Sequence, residues 1–487
     1  MTTARPQATP SSDQAAPAGE FRGLTGLRIV AALWVVFFHF HFTALPGVEA
    51  VNAVLGPLIS HGDMGVDLFF VLSGFVIAFT YLDKLGPALR AGATARFVWA
   101  RACRMWPVYV LVFNLFGIWL VARMVFGSDP EIAFQAVQPV VSVGEWLQQM
   151  FLVQMWNNAF LDGASWVGPT WSLSAEWLAY LLFPVAALVF FRMRNLPVVV
   201  LALGAVALMT PIAWAYLETG SPYYPWSWVV RILCGFGAGV LTHLTVRRLR
   251  AGDRVRRRAS VLAAATPLVI AAGLLLGEYA GAGRGGVVIV LLPLLVGAIA
   301  LADRGPAMVL SLPWMVQGGR ISYSLYLVHI PMFEVYWLSL RRFAILGPHT
   351  VLAHVLAVVV ILSTLVVASL AFRLVEEPAR RRMRRIQLPA GRRAIRRPGP
   401  APTEGPFDLV TAFRAAREAL VPAPAVPGPG GALLAPEPRH AASGARQPTL
   451  AATLVNAQRR PAMHRAELMA SYDRTAYVRT GGLDAAT

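Results

Sequence analysis

Apolar residues are gathered into ten long segments along the chain, each bounded by polar or basic residues. Every segment is long enough for an α-helix to cross a hydrocarbon core roughly 30 Å thick. The segments lie at about 27–45, 65–82, 105–126, 171–191, 196–217, 226–245, 260–277, 285–302, 319–339 and 349–373. This pattern predicts an all-α, polytopic membrane protein with about ten transmembrane helices around a polar cavity.

The sequence predicts that the chain divides into three regions. Residues 1–20 are polar and rich in Ala, Pro and Ser, which is typical of a short disordered leader. Residues 21–380 hold the predicted membrane domain. Residues 381–487 are first basic and then rich in Pro, Ala and Gly, which predicts a mostly disordered cytoplasmic tail with one amphipathic surface helix at 407–420. The segment 143–155 is too short and polar to span, so it is predicted to lie on the surface or to fold back over the site.

The chain is 56% hydrophobic and carries a formal net charge of +18. Lys and Arg crowd the loop between the second and third spans, whereas the loop at 127–170 has Asp and Glu but neither basic residue. The positive-inside rule therefore predicts that both termini are cytoplasmic. No nucleic-acid partner is expected, because the charge follows the spans and no base-reading motif accompanies it. The two cysteines, Cys103 and Cys234, imply neither a disulfide nor a metal site.

The first span carries two ionisable residues, Arg28 and His39, that lie eleven positions apart. Eleven residues turn a helix through just over three full turns, so both side chains are predicted to project from one face, about 16 Å apart along the axis. His39 then lies near the middle of the membrane, where ionisable groups usually face a polar cavity or a partner. It is either functional or part of an interhelical hydrogen bond.

Charged residues at two further span ends are candidates for chemistry. Asp67, one helical turn after Asp63, could orient an imidazole, and Asp63 could equally be a helix cap. Arg101 and Arg104 have the i, i+3 spacing that forms a paired cationic surface for an anion approaching from the cytoplasm. Ordinary positive-inside anchoring explains this pair nearly as well.

The fourth and ninth spans each carry a polar stripe. Ser172, Glu176 and Tyr180 recur every four residues, so they line one face of the fourth span. Trp171 and Trp177 beside them suit a wall that faces a sugar or a lipid headgroup, or an aromatic belt at the membrane interface. The ninth span has the polar residues Ser322, Tyr326 and His329. These are either polar contacts between helices or part of one cavity shared by five spans.

Taken together, these blocks resemble the acyltransferase-3 family of integral membrane acyltransferases. The matching pieces occur in family order from about residue 22 to 380: Arg28-x10-His39, the block from Gly65 to Phe75, Arg101-x-x-Arg104 followed by Pro107 and Tyr109, the block from Trp171 to Glu176, the block from Ser322 to His329, and the close from Val375 to Arg380. Each block alone is weakly specific, but their order along one chain is strongly specific.

The resemblance implies a ten-helix domain that moves an acyl group, usually acetyl from acetyl-CoA, onto a hydroxyl of a carbohydrate or glycosylated small molecule. It implies His39 as the catalytic histidine, Arg28 as its motif partner, and Arg101, Arg104 and Tyr109 at the CoA end. Many relatives carry a fused hydrolase-like domain. The tail of this chain is disordered by composition, so a stand-alone enzyme is expected.

The expected reaction uses neutral His39 as a general base for the acceptor hydroxyl, or acylates His39 briefly. Glu176 or Asp67 would orient the sugar or the histidine. Ser322 and Tyr326 would donate to the developing oxyanion, and Ser172, Trp171 and His329 would complete the substrate site.

Two other classes compete with this prediction. One is a polytopic transporter or flippase that uses intramembrane His and Glu residues, and the other is a structural or sensory membrane protein. The acceptor stays open between cell-surface polysaccharide, glycolipid and glycosylated metabolite. A composition rich in Arg, Ala, Gly and Pro is typical of a GC-rich bacterial genome, so the expected location is the bacterial cytoplasmic membrane.

Overall fold

The computed structural model describes residues 21–127, 131–133, 135, 137–249 and 252–386, and these residues form helices and no strand. The α-helices are α1 (Arg22–Phe40), α2 (Pro46–Ser60), α3 (Met64–Leu85), α4 (Ala91–Phe126), α5 (Val143–Met150), α6 (Trp171–Met193), α7 (Val198–Thr219), α8 (Ser227–Arg248), α9 (Asp253–Gly277), α10 (Leu292–Leu301), α11 (Pro306–Leu310), α12 (Pro313–Arg342), α13 (Val351–Ala371) and α14 (Glu377–Arg384). The all-α prediction is confirmed. The predicted leader at 1–20 and the tail beyond 386, including its surface helix, lie outside the described residues.

Nine helical stretches of the described chain are long and apolar enough to cross a membrane. They coincide with nine of the ten predicted spans, and the remaining one, the predicted ninth span, forms the 30-residue helix α12. This helix is long enough to span, but serine, tyrosine, histidine and glutamate side chains interrupt its apolar sequence. The predicted eighth span begins as a 3₁₀-helix, Arg284–Leu291, before α10. The amphipathic pattern did not predict α2.

Glycines bring the central helices unusually close. A Cβ atom on Gly74 of α3 would lie 2.0 Å from the backbone oxygen of Phe236 in α8, and one on Gly239 of α8 would lie 2.0 Å from the oxygen of Val71 in α3. The same holds where α1 meets α12, since a Cβ on Gly319 would lie 1.8 Å from the oxygen of Thr25. Small residues permit such contacts in membrane bundles, and here they hold the site-bearing helices together.

The segment after α5 folds back into the bundle, as one of the two sequence interpretations predicted. Gln149 and Gln154 are buried, and the Gln154 amide donates to the backbone oxygen of Thr170 at 3.3 Å. The backbone N–H of Met155 donates to Ser174 Oγ of α6. A 3₁₀ turn, Gly168–Thr170, then leads into α6, so the start of α6 is covered by its own loop.

The last described span changes its hydrogen-bonding pattern before it ends. α13 continues into a π-helical turn, Phe372–Glu376, and then into the basic helix α14. π-helical turns frequently mark functional sites. Here the turn directs the fully buried Glu376 into the bundle. The predicted domain boundary at residue 380 falls within α14.

Candidate functional site

Five helices line one polar cleft, here called the arginine cleft. α1, α3, α4, α6 and α12 contribute its residues: Arg28, Ser73, Val76, Ile77, Arg101, Arg104, Met105, Glu176, Tyr180 and Tyr323. Three guanidinium groups therefore face the cleft with one carboxylate. The structure brings together residues that the sequence assigned to three separate roles.

Two hydroxyl groups hold the Glu176 carboxylate inside the arginine cleft. Ser73 Oγ donates to Glu176 Oε1 at 2.7 Å, and the Tyr180 hydroxyl donates to the same oxygen. The two hydroxyls are also 3.0 Å from each other. The Glu176 carboxylate thus lies with the arginines and not beside the histidine pair, and its expected role in orienting a sugar stays a prediction.

Arg101 and Arg104 differ in their partners. Arg104 forms an ion pair with Glu376, whose other oxygen accepts from Ser324 Oγ at 2.7 Å. The Arg101 guanidinium lies between the rings of Tyr81 and Tyr180, 5.4 and 5.8 Å from their centroids. Its buried Nε atom has no hydrogen-bond partner in the described part of the chain. Arg101 therefore keeps hydrogen-bonding capacity toward a ligand.

His39 lies at the far end of α1 from the cleft and pairs with a second histidine. His39 Nδ1 is 3.2 Å from His329 Nε2 and 2.8 Å from the backbone oxygen of Val35. His329 Nδ1 is in turn 3.2 Å from the oxygen of Leu325. Both imidazoles are buried, so their chemistry takes place away from bulk water.

One face of α12 joins the arginine cleft to the histidine pair. Arg28 Nε donates to Ser322 Oγ at 3.4 Å near the cleft, and His329 meets His39 two turns further along. Tyr326 lies between them and its hydroxyl is 2.6 Å from Ser172 Oγ. The predicted stripe on the ninth span is confirmed as a continuous polar line. Arg28 and His39 both contact this helix, as the one-face prediction for α1 requires.

Both hydroxyls at the middle of this line are already bound. Ser172 and Tyr326 donate to the backbone oxygen of Pro169, at 3.0 and 2.7 Å. Ser322 likewise donates to the oxygen of Gly319 at 2.9 Å. An oxyanion role for Tyr326 or Ser322 would therefore require one of these bonds to open.

Asp67 forms a buried ion pair that the sequence interpretation missed. Arg231 of α8 donates to both of its oxygens, at 3.0 and 2.7 Å, and both residues are fully buried. Asp67 therefore accepts from an arginine rather than from a histidine, and its expected role in orienting a sugar stays a prediction. Asp63 accepts from the Tyr223 hydroxyl at 2.8 Å, and its side chain makes no helix-capping hydrogen bond.

Two further predicted site residues lie away from the arginine cleft and the histidine pair. The Tyr109 hydroxyl is buried and donates to the backbone oxygen of Gln149 at 2.8 Å. It therefore supports the re-entrant loop, and its expected part in cofactor binding stays a prediction. Trp171 is mostly buried and its ring lies 5.1 Å from the Arg231 guanidinium. This position places it beside the Asp67 pair.

Sequence reasoning missed three polar residues that organise these sites. Arg231 stands alone inside an apolar span, and an isolated intramembrane arginine is itself a signal of a buried partner. Glu376 and Ser324 were covered by matched blocks, but nothing in their spacing indicated that they would meet Arg104. Only the packing of α4, α12 and the π-helical turn brings these three side chains together.

Together the fold and site define a multi-pass helical membrane protein that holds an arginine-lined cleft and a buried histidine pair within one bundle. The sequence profile of the acyltransferase-3 family, described as an acyltransferase domain, matches residues 21–373. The chain belongs to this family of membrane acyltransferases. The family match covers all the helices that line the cleft and both histidines.

Two curated relatives agree with the assignment. "Acyltransferase MdmB" of Streptomyces mycarofaciens is 29% identical over 180 residues, which are 36% of this chain and 40% of that protein. "Protein 2 in picA locus" of Rhizobium radiobacter is 31% identical over 209 residues, which are 40% of this chain and 97% of that protein. The chain thus matches about two fifths of the length of the first relative and nearly all of the second. No solved structure matches the chain significantly.

Proposed function

We propose that this protein transfers an acyl group, in the simplest case acetyl, from acyl-CoA to a hydroxyl of a carbohydrate or glycosylated molecule. The observation that carries the proposal is the polar line on α12, which connects an arginine-rich cleft at Ser322 to a buried imidazole at His329. An anionic donor held at one end of this line would have its reactive group directed toward the other end. The acceptor class rests on the family resemblance.

The residues of the arginine cleft suit the phosphates of an acyl-CoA. Guanidinium groups bind phosphate oxygens in paired hydrogen bonds, and the cleft has three guanidiniums against the single carboxylate of Glu176. The buried Nε of Arg101 is an unused donor among the described residues. Arg101 would therefore make the main phosphate contact, while Glu376 holds Arg104. The cleft would open to the cytoplasm, with both termini on that side of the cell membrane.

At the other end of the line, His39 acts as the general base. The acceptor hydroxyl loses its proton to His39 Nε2 as its oxygen bonds to the acyl carbon. The carbon–sulfur bond of the thioester then breaks, and the proton on Nε2 passes to the leaving thiolate. CoA supplies only the activated acyl group. A neutral imidazole is suited to both transfers because its ordinary pKa lies near neutrality.

The test is the release of CoA from acetyl-CoA by the purified full-length protein in nanodiscs, with water or a sugar as acceptor. We expect Arg101→Gln to raise the KM for acetyl-CoA by about tenfold to a hundredfold, the loss typical of a hydrogen bond to a charged group. Arg96→Gln is the matched control, because Arg96 is an exposed arginine on the same helix. We expect His39→Ala to abolish release while the protein remains folded.

The proposal fails if the folded wild-type protein neither binds acetyl-CoA nor releases CoA. Movement of a substrate across the vesicle membrane without CoA would then favour the transporter or flippase. Normal turnover by His39→Ala would refute the assigned base while leaving acyl transfer itself in place.

A further inference from the structure

His329, the second imidazole of the histidine pair, has no role in the reaction proposed above. His329 is fully buried, and Tyr326 and Phe333 of its own helix surround it with aromatic rings at 5.9 and 5.8 Å. Its ring is tilted against that of His39, with the centroids 5.0 Å apart. A buried imidazole is an expensive group to keep in a membrane bundle, so its contact with His39 calls for a chemical explanation.

The partners of the two rings determine where the protons lie. A backbone carbonyl oxygen can only accept, so the 2.8 Å contact with Val35 requires a proton on His39 Nδ1. His329 Nε2 faces that same N–H at 3.2 Å and must therefore present its lone pair. The contact of His329 Nδ1 with the oxygen of Leu325 agrees, since the proton of a neutral His329 then lies on Nδ1.

In the neutral pair, therefore, each imidazole carries its proton on Nδ1, and His39 Nε2 has the lone pair. The His39 N–H is shared between two acceptors, the oxygen of Val35 and His329 Nε2. A second proton on His329 would place two N–H groups against each other. The pair can therefore take up one further proton, and that proton lies on His39.

We propose that His329 is a positioning residue for the reaction: it holds His39 in the tautomer with the basic lone pair on Nε2 and accepts from Nδ1 while His39 carries the acceptor's proton. This inference rests on the proposed function of His39. His329 takes the place that a carboxylate has in a hydrolase triad, where the third residue orients the base and stabilises its charged form. A neutral acceptor performs this task without a second charge in the buried site.

Two substitutions separate positioning from packing. In His329→Gln, the side-chain amide reaches the place of Nε2 and can present its oxygen to His39 Nδ1, whereas His329→Leu fills the space without an acceptor. For CoA release in nanodiscs we expect the kcat of His329→Leu to fall about tenfold to a hundredfold, with the KM for acetyl-CoA unchanged. We expect His329→Gln to recover most of this loss. His41→Gln is the matched control, because His41 lies just after the end of α1 and its ring contacts the backbone oxygen of Phe38.

Equal loss in the Gln and Leu variants would overturn the inference, as would a Leu variant with wild-type kcat. Either result leaves the acyltransferase proposal in place, provided that wild type is active and His39→Ala is not. An inactive wild type instead refutes the proposed function.

A measurement without turnover tests the proton positions themselves. The chain has nine histidines, so ¹⁵N-histidine spectra of the full-length protein can be assigned by substituting His39 and His329 in turn. We expect both rings to carry their proton on Nδ1. A proton on Nε2 of either ring in the neutral pair would overturn the inference, whatever the activity.

Discussion

At the scale of single residues, Arg101 and Arg104 lie one helical turn apart on α4 and yet make different contacts. Arg104 is bound by the buried carboxylate of Glu376, whereas Arg101 lies between aromatic rings and its buried Nε has no hydrogen-bond partner among the described residues. The difference arises from the neighbours that each position meets, since both residues share a helix and a motif. A carboxylate that cancels one charge leaves the other available for an anion.

Glu376→Gln tests the assignment of Arg104. The change leaves a charged arginine without its buried counter-ion, so we expect a loss of about 3 kcal/mol in stability and a raised KM for acetyl-CoA. Glu377→Gln is the control, because the neighbouring Glu377 pairs with Arg380 and Arg381 near the surface and its loss should cost under about 0.5 kcal/mol. Thermal unfolding in detergent measures both; equal melting temperatures for the two variants would contradict the assignment.

At the scale of elements, α12 joins the two ends of the site and glycine contacts hold the neighbouring helices in register. The stripe on α12 meets Arg28 and His39 of α1 and, through Tyr326, Ser172 of α6. On the other side of the bundle, α3 presents Ser73 to the cleft while packing on α8 through glycines. A displacement of α3 would therefore move the hydroxyl that holds Glu176.

Gly239→Ala tests the α3–α8 contact. Its Cβ would lie 2.0 Å from the backbone oxygen of Val71, so the two helices must separate, and we expect a loss of about 1–3 kcal/mol. Gly237→Ala on the same helix meets side-chain ends, of Leu208 at 3.1 Å and of Phe190 at 3.9 Å, and should be nearly neutral. Thermal unfolding in detergent compares them. A Gly239→Ala protein as stable as the Gly237→Ala protein would mean that the helices are not in close contact.

At the scale of the whole molecule, the arrangement of basic residues predicts which loops face the cytoplasm. Arginines crowd the end of α8 and the start of α9, from Arg247 to Arg258, whereas α2 lies at the opposite ends of the spans and carries the acidic Glu49. The positive-inside rule places the first in the cytoplasm and the second outside. The proposed cytoplasmic entry of acyl-CoA depends on this orientation.

Two cysteine substitutions test the orientation. Gly252→Cys and Gly56→Cys place a thiol where no atom of the described residues lies within 4 Å of the new Cβ, in a protein whose own Cys103 and Cys234 have been changed to Ala. We expect a membrane-impermeant maleimide to label Gly56→Cys in intact cells and Gly252→Cys only after permeabilisation. The reverse pattern would invert the topology and remove the cytoplasmic route to the arginine cleft.

By itself the sequence determined the helical class, the positions of the spans and the residues on each polar face. These three features can be predicted from the sequence because each depends only on residues within one helix. The length of an apolar segment identifies a span, and the 3.6-residue repeat determines which residues share a face. That is why the shared face of Arg28 and His39 and the stripe on α12 were predictable. The family blocks in order determined the membership of the chain.

Only the tertiary structure decided which faces meet. Glu176 lies with the arginines of the cleft, and Asp67 pairs with Arg231. Glu376 binds Arg104, although the two residues are 272 positions apart in the sequence. Buried charges take the nearest opposite charge that the packed helices offer, and that choice depends on helix order and close glycine contacts that periodicity does not encode. The contact between His39 and His329, 290 residues apart, arose in the same way.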